Sequence, residues 1–245
     1  MGLAVVTVVA GGLPVVEALF GTPVTEAANG YGVPVTKVVG KPGMPVVFET
    51  IGMAPGFATL DGAVSNTTLS GDKLTATHSN TTTNSGARST ATKTAGKYYF
   101  EAKYNTTPLG GDPVGIMQPG ATFANLVGGS AVVSITFGSG IAYTNGGQYG
   151  PVALGTIVAG DVVSFAVDLT NGKIWSRRNA GQWQGTGNGD PVAGTVSGVL
   201  ANPANGYAPA VGFTTGGSGN NVTLNLGASA FIGAVPAGFT PGWPA

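Results

Sequence analysis

The chain has no cysteine and a single histidine. That excludes disulfides, thiolate metal sites and cysteine nucleophiles. Charge is just as scarce. Lys and Arg number 10, Asp and Glu 10, so the formal net charge is zero and only 8% of the 245 residues are charged. An ordinary globular domain has about 25%. No basic block is present to neutralise phosphates, which removes the main source of nucleic-acid affinity. The stretches of Leu, Glu, Lys and Arg that long helices need are also missing. The apolar start, Met1 to Ala10, has no basic flank and runs at once into Gly11, Gly12 and Pro14. It is a poor signal peptide and too short for a span, so no membrane insertion is expected.

What the sequence does hold is 43 glycines, 16 prolines and abundant Val, Thr and Ala. Val and Thr favour extended backbone, and glycine supplies turns at small steric cost. The composition predicts an all-β protein with many tight turns. The length suits one large β domain plus an accessory piece, or two small domains. Low charge gives weak self-repulsion, which suits a chain that packs against copies of itself or against a larger assembly.

The first fifty residues repeat. Five units begin at Gly2, Gly12, Gly21, Gly32 and Gly43, and four of them carry proline at their third position. A valine follows each of these prolines, giving Pro14-Val15, Pro23-Val24, Pro34-Val35 and Pro45-Val46. Proline fixes φ and lacks an N–H, so it suits a strand start or an edge and not a central strand. One such unit cannot bury a core, and five in a row add no second layer. The eight Pro and Val positions are therefore read as assembly contacts. The segment either winds with two copies of itself into a trimeric shaft or lies along another protein as added strands. The repeat stops near Ile51 to Gly56. The expected division is 1–52, an extended repetitive β segment, and 53–245, a β-sandwich.

From Phe57 on, strand-like runs alternate with turn clusters. Val163, Phe165, Val167 and Leu169 alternate with Ser164, Ala166 and Asp168, so one face is buried and the other is smaller or more polar. Asn171-Gly172 is a strong hairpin signal leading to Ile174-Trp175-Ser176-Arg177-Arg178. Lys97 to Tyr104 is an aromatic strand, Ala131 to Phe137 and Gly140 to Tyr143 are two more, and Ala208 to Phe213 and Asn221 to Leu226 come later. Pro236 to Pro241 reads as an extended strap. Two packed antiparallel sheets follow from this pattern.

An ordered set of segments resembles the SPRY family. Gly96-Lys97-Tyr98-Tyr99-Phe100-Glu101 is similar to the strand that opens its conserved part. Gly160-Asp161-Val162-Val163, Ala166-Val167-Asp168-Leu169 and Asn171-Gly172-Lys173-Ile174-Trp175 are similar to its central hairpin, and Asn179-Ala180-Gly181-Gln182-Trp183 follows in order. Tyr207 to Val211, Val222 to Gly227, Phe231 and Pro236-Ala237-Gly238-Phe239 resemble its later strand and closing signature. Leu226 stands where Phe is usual. The resemblance covers about Gly62 to Pro241. It implies a bent, SPRY-like antiparallel β-sandwich used for binding, with no catalytic machinery of its own.

Chemistry-bearing motifs are few. His78 lies in Thr-His-Ser-Asn, without a G-x-S-x-G elbow to make it a triad base, and is expected at the surface or in a loop. Asp61, Asp72, Asp112, Asp161 and Asp190 sit beside Gly or Pro, where carboxylates stabilise turns. Gly185-Thr186-Gly187-Asn188-Gly189 opens no helix and is no phosphate cradle. No D-x-D-x-D spacing supports calcium. No catalytic residue, metal or cofactor is therefore expected. The Asn-x-Thr matches at Asn66, Asn80, Asn105 and Asn221 are read as chance in a Thr-rich chain.

Tyr143, Tyr149 and Trp183, beside Gly-rich turns, are the candidate ligand contacts, because exposed aromatics stack on sugar rings or fill pockets. Trp175, Tyr99 and Phe165 are assigned to the core. Arg177 and Arg178 point to opposite faces, with one expected to pair with Asp168.

The combined expectation is a phage virion protein, not an enzyme: a capsid-decorating or head-fibre homotrimer at the virion surface. Its N-terminal repeats would dock on the major capsid protein or another virion protein. Its sandwich would project to cement neighbours or touch a host-surface glycan. A tail fibre or tail spike is the alternative, and a carbohydrate-active enzyme the second alternative.

Overall fold

The computed structural model describes residues 36–39, 47–50, 56–60, 66–79, 84–108, 111–123, 132–136, 140–144, 147–149 and 152–245. The chain divides into two compact units, Met1–Gly56 and Phe57–Ala245, against a break expected after residue 52. In the first unit, β1 (Thr36–Val39) and β2 (Val47–Thr50) form an antiparallel ladder with Thr36 opposite Thr50 and Val39 opposite Val47. Each strand follows directly on the Pro-Val pair of a repeat. Two repeats of one chain thus pair with each other here. A two-stranded ladder alone is marginal in water. The eight assembly positions, Pro14, Val15, Pro23, Val24, Pro34, Val35, Pro45 and Val46, lie outside the described residues.

The second unit is an antiparallel β-sandwich. Its smaller sheet runs β10 (Gly147–Tyr149), β9 (Ile141–Thr144), β8 (Val132–Thr136), β7 (Val114–Met117), β14 (Ala208–Phe213), β5 (Ser85–Arg88). Its larger sheet runs β13 (Gly198–Val199), β12 (Lys173–Arg178), β11 (Val162–Asp168), β6 (Lys97–Tyr104), β15 (Asn221–Asn225), β4 (Thr75–His78), β3 (Thr67–Leu69). The core between the sheets takes alternate residues, as the side-chain period of a strand requires. From β6 these are Phe100, Ala102 and Tyr104, and from β11 Val163, Phe165 and Val167.

The opposite face of β11 differs from expectation. Every β11 residue is buried, including Ser164, Ala166 and Asp168. The closing segment covers that face. Phe231, Val235 and Phe239 pack on Tyr99, Ala166 and Trp175, making a second apolar cluster outside the sandwich core.

The strap then passes from this outer face to the inner one. β15 pairs with β6 only from Glu101 to Tyr104. The vacant half of that edge is taken by β16 (Thr240–Pro241), which lies parallel to Tyr98 and Tyr99. The Gly242 N–H donates to the Tyr99 carbonyl at 2.8 Å. Gly242 has φ +87°, and a Cβ there would come within 2.4 Å of the Leu226 carbonyl oxygen, so only glycine fits the crossing. Trp243 follows and is fully buried in the main core. Its ring lies 4.8 Å from that of Tyr98 and edge-on to Phe100 at 6.0 Å, and its Nε1 donates to the Ala91 carbonyl at 2.9 Å. The strap closes on the unit's first residues, with the Ala58 N–H on the Trp243 carbonyl and a bridge between Phe57 and Pro244.

Candidate functional site

The three candidate aromatics are not brought together. Tyr149 pairs in register with Ala142, a core residue, so its half-buried ring points between the sheets. There it borders a small cavity of about 10 Å³ with Phe165, Trp175 and Gln184, enough for about one water and no ligand. Burial pushes its phenol up, against a hydrogen bond from Gln184. Tyr143, one residue on from Ala142, faces the opposite side of the smaller sheet. Trp183 is half-buried on the outer face of the larger sheet, in a short 3-10 turn at 183–185.

Trp183 serves a cation and not an open platform. The Arg177 guanidinium stacks 4.3 Å over its ring. Arg177 is 7% exposed, and it donates to the Tyr99 hydroxyl at 3.2 Å and to the Ala234 carbonyl at 2.6 Å. The Tyr99 hydroxyl donates in turn to Glu101 at 2.6 Å. Glu101 also accepts the Ile232 and Gly233 N–H groups at 3.1 and 2.9 Å. Burial and the Glu101 carboxylate push the Tyr99 phenol up to about 12. This buried chain fastens the strap across the sheet.

The other described carboxylates whose side chains are placed are also engaged. Asp72 accepts the Ser70 hydroxyl and the Leu74 N–H, Asp190 accepts the Val192 and Ala193 N–H groups, and Asp112 accepts the Thr214 N–H and the Asn220 amide. Asp168 holds the Asn171 turn and pairs with Lys97 at 3.1 Å. This corrects the expected Arg–Asp168 pair. The hairpin register sets Asp168 opposite Lys173 on one side and Lys97 on the other, with the arginines four and five residues further along β12.

His78 is a further correction. It is 1% exposed, not on the surface. Its Nδ1 lies 2.8 Å from the Gly217 carbonyl oxygen, and its ring stacks on Phe213 at 5.3 Å. Its place on the inward side of β4, beside Ala76, is what buries it.

The sandwich also carries an open concavity. It is a shallow depression of about 260 Å³ where the 153–154 backbone meets the turns around Arg178, Asn179, Gln182 and Gly185. Arg178 is fixed in its wall by Asp161 at 2.7 Å. The Asn179 side chain donates to Asp161 at 2.6 Å and accepts the Val162 N–H at 2.8 Å. Burial pushes the Asp161 carboxyl up, but the Val158 N–H, the Asn179 amide and the Arg178 guanidinium outweigh it and hold the group below the usual carboxylate value. Asn179 and Ala180 both adopt positive φ, +49° and +57°. The sequence reading missed this corner. Its signal was the pairing of Val163 with Arg178, which brings the Gly160-Asp161 and Asn179-Ala180-Gly181 turns to one end of the hairpin.

No family model and no curated protein matches the chain. A solved structure does: the SPRY domain of human HERC1 aligns at a TM-score of 0.54 with 16% identity, over 67% of this chain and 96% of that one. The sandwich has the SPRY fold. The TRIM65 PSpry domain aligns at a TM-score of 0.49 with 16% identity, over 69% of this chain and 92% of that one. Within the SPRY-like sandwich, the segments that carried the resemblance build adjoining parts. Gly96 to Glu101 is the start of β6, Asn179 to Trp183 shapes the depression and the Arg177 stack, and Leu226 fills a core position with no exposure.

Proposed function

We propose that this chain is a structural and binding protein of a bacteriophage particle, a capsid decoration or head fibre without catalytic activity. The Gly-x-Pro-Val unit attaches it, as a trimer, to a virion protein, and the SPRY-like sandwich projects from the particle surface as the binding or cementing domain. One combination carries this reading. A sandwich whose placed carboxylates all hold turns, straps or cations follows a separate, nearly uncharged unit whose repeats are each too short to bury a core. Acid–base hydrolysis needs two carboxylates free to face a substrate. Among the described residues, those placed in the sandwich already bind backbone N–H groups or side-chain donors. The zero net charge supports close packing against a shell.

Quantitative mass spectrometry of purified virions, with antibody labelling in the electron microscope, tests the proposal. Many copies spread over the head are expected. A few copies at the tail tip point to a tail fibre instead, and absence from the particle overturns the assignment. Shortened host polysaccharide after incubation with the chain, abolished by one acidic substitution, overturns the non-catalytic reading.

A further inference from the structure

The depression beside Arg178 has a construction that packing alone does not require. Gly185 sits at φ +71°, and a Cβ there would come within 2.0 Å of the Ala153 carbonyl oxygen. No side chain fits, so the wall at this point is bare backbone. Asn179 and Ala180 hold left-handed conformations that cost non-glycine residues about 1 kcal/mol or more each. Together these features keep the concavity open around one oriented guanidinium. Arg178 is half-buried, is held by Asp161 on one edge, and has a buried Nε without a hydrogen-bond partner. The exposed amide of Gln182 adds a donor and an acceptor at the rim.

We propose that this depression binds a neutral, hydroxyl-rich sugar ring. The inference rests on reading the sandwich as a binding domain and names the ligand class. Size supports it: about 260 Å³ lies just under the range of pockets for drug-sized molecules, leaving room for one ring. Charge decides against an anion. Asp161 lies 2.7 Å from the guanidinium and cancels its charge. A carboxylate or phosphate would lose its hydration without gaining a free counter-charge. Hydroxyl groups accept from the guanidinium edge, and both donate to and accept from the Gln182 amide. The exposed Ala153 supplies a small apolar contact for the C–H face of the ring.

The test uses the full chain, with amide resonances followed by NMR during titration with D-glucose, D-galactose, D-mannose and N-acetyl-D-glucosamine, and with glucuronate and sulfate as anionic probes. At least one neutral sugar is expected to shift the Gly181 and Gly185 amides with millimolar affinity. Arg178→Lys and Gln182→Ala should each weaken it about tenfold, the loss of one hydrogen bond of this kind. Glucuronate should bind no better than glucose. Gln182→Ala alters only an exposed side chain and keeps the wild-type unfolding midpoint, so the test stands even if Arg178→Lys unfolds. No shift with any neutral sugar overturns the inference, as does tighter binding of glucuronate or sulfate, or unchanged affinity in Gln182→Ala. Failure here with the protein still counted on virions removes the sugar site and leaves the particle assignment in place.

Discussion

Trp243→Ala tests whether the strap is part of the core or only lies on it. Trp243 is fully buried, contacts Tyr98 and Phe100, and donates to the Ala91 carbonyl. Removing a buried tryptophan side chain costs about 3–5 kcal/mol through lost burial and the cavity left behind. The orphaned Ala91 carbonyl falls within that range, because the neighbouring backbone relaxes toward the hole. Trp243→Phe keeps a ring against Tyr98 and Phe100 but loses the indole N–H, so its cost should be smaller, about 1–3 kcal/mol. Urea unfolding followed by the fluorescence of Trp175 and Trp183 reads both. With a slope of about 2 kcal/mol per molar, the alanine variant's midpoint should fall by about 1.5–2.5 M, with the slope unchanged. A loss below about 1 kcal/mol for the alanine variant would refute the crossing of the strap into the core.

Other substitutions and pH follow from the same contacts. Glu101→Gln should cost about 1.5–3 kcal/mol in urea unfolding, because the strap N–H groups of Ile232 and Gly233 lose a charged acceptor. Gly242→Ala should destabilise by more than the usual surface change, since both its φ and the Leu226 carbonyl oppose a Cβ, and thermal melting reads the shift. Asp161 and Asp168 have folded pKa values held below their unfolded ones, Asp168 by the Asn171 side chain and N–H and by Lys97 against the upward push of burial. Their stabilisation is present above about pH 4 and is lost as pH falls through the folded values, so Asp161→Asn should flatten the acid limb of a stability–pH curve. Tyr99, pushed up to about 12, works in the other direction. The unfolded phenol ionises near pH 10 while the folded one stays protonated, so stability should decline between about pH 10 and 12, and Tyr99→Phe should lessen that decline.

Much of the sandwich was legible locally. Alternation along 163–169 with Asn-Gly at 171–172 fixed the β11–β12 hairpin, and the aromatic run at 97–104 marked β6. Phe165, Tyr99 and Trp175 are all buried as expected, Phe165 in the sandwich core but Tyr99 and Trp175 on the outer face under the closing segment. What was hidden depends on distant chain. Ser164 and Asp168 look solvent-facing in a period-two pattern, yet residues more than sixty positions later lie over their face. His78 reads as polar loop from its Thr and Ser neighbours, while the Asn220 carbonyl that accepts its N–H and the 213–217 segment enclose it. Trp183 reads as an exposed aromatic until the buried cation beneath it is seen. The Arg178 corner needs the register of a hairpin and the folding of two turns, neither of which a linear reading supplies.

Each opening Gly-x-Pro-Val repeat is too short to bury a core, so the repeats should find their packing partners on other copies of the chain. Sedimentation equilibrium of the intact 245-residue chain across a wide concentration range tests this directly. Three chain masses are predicted. A single chain mass at every concentration, with the 1–56 unit protected from protease, would contradict it.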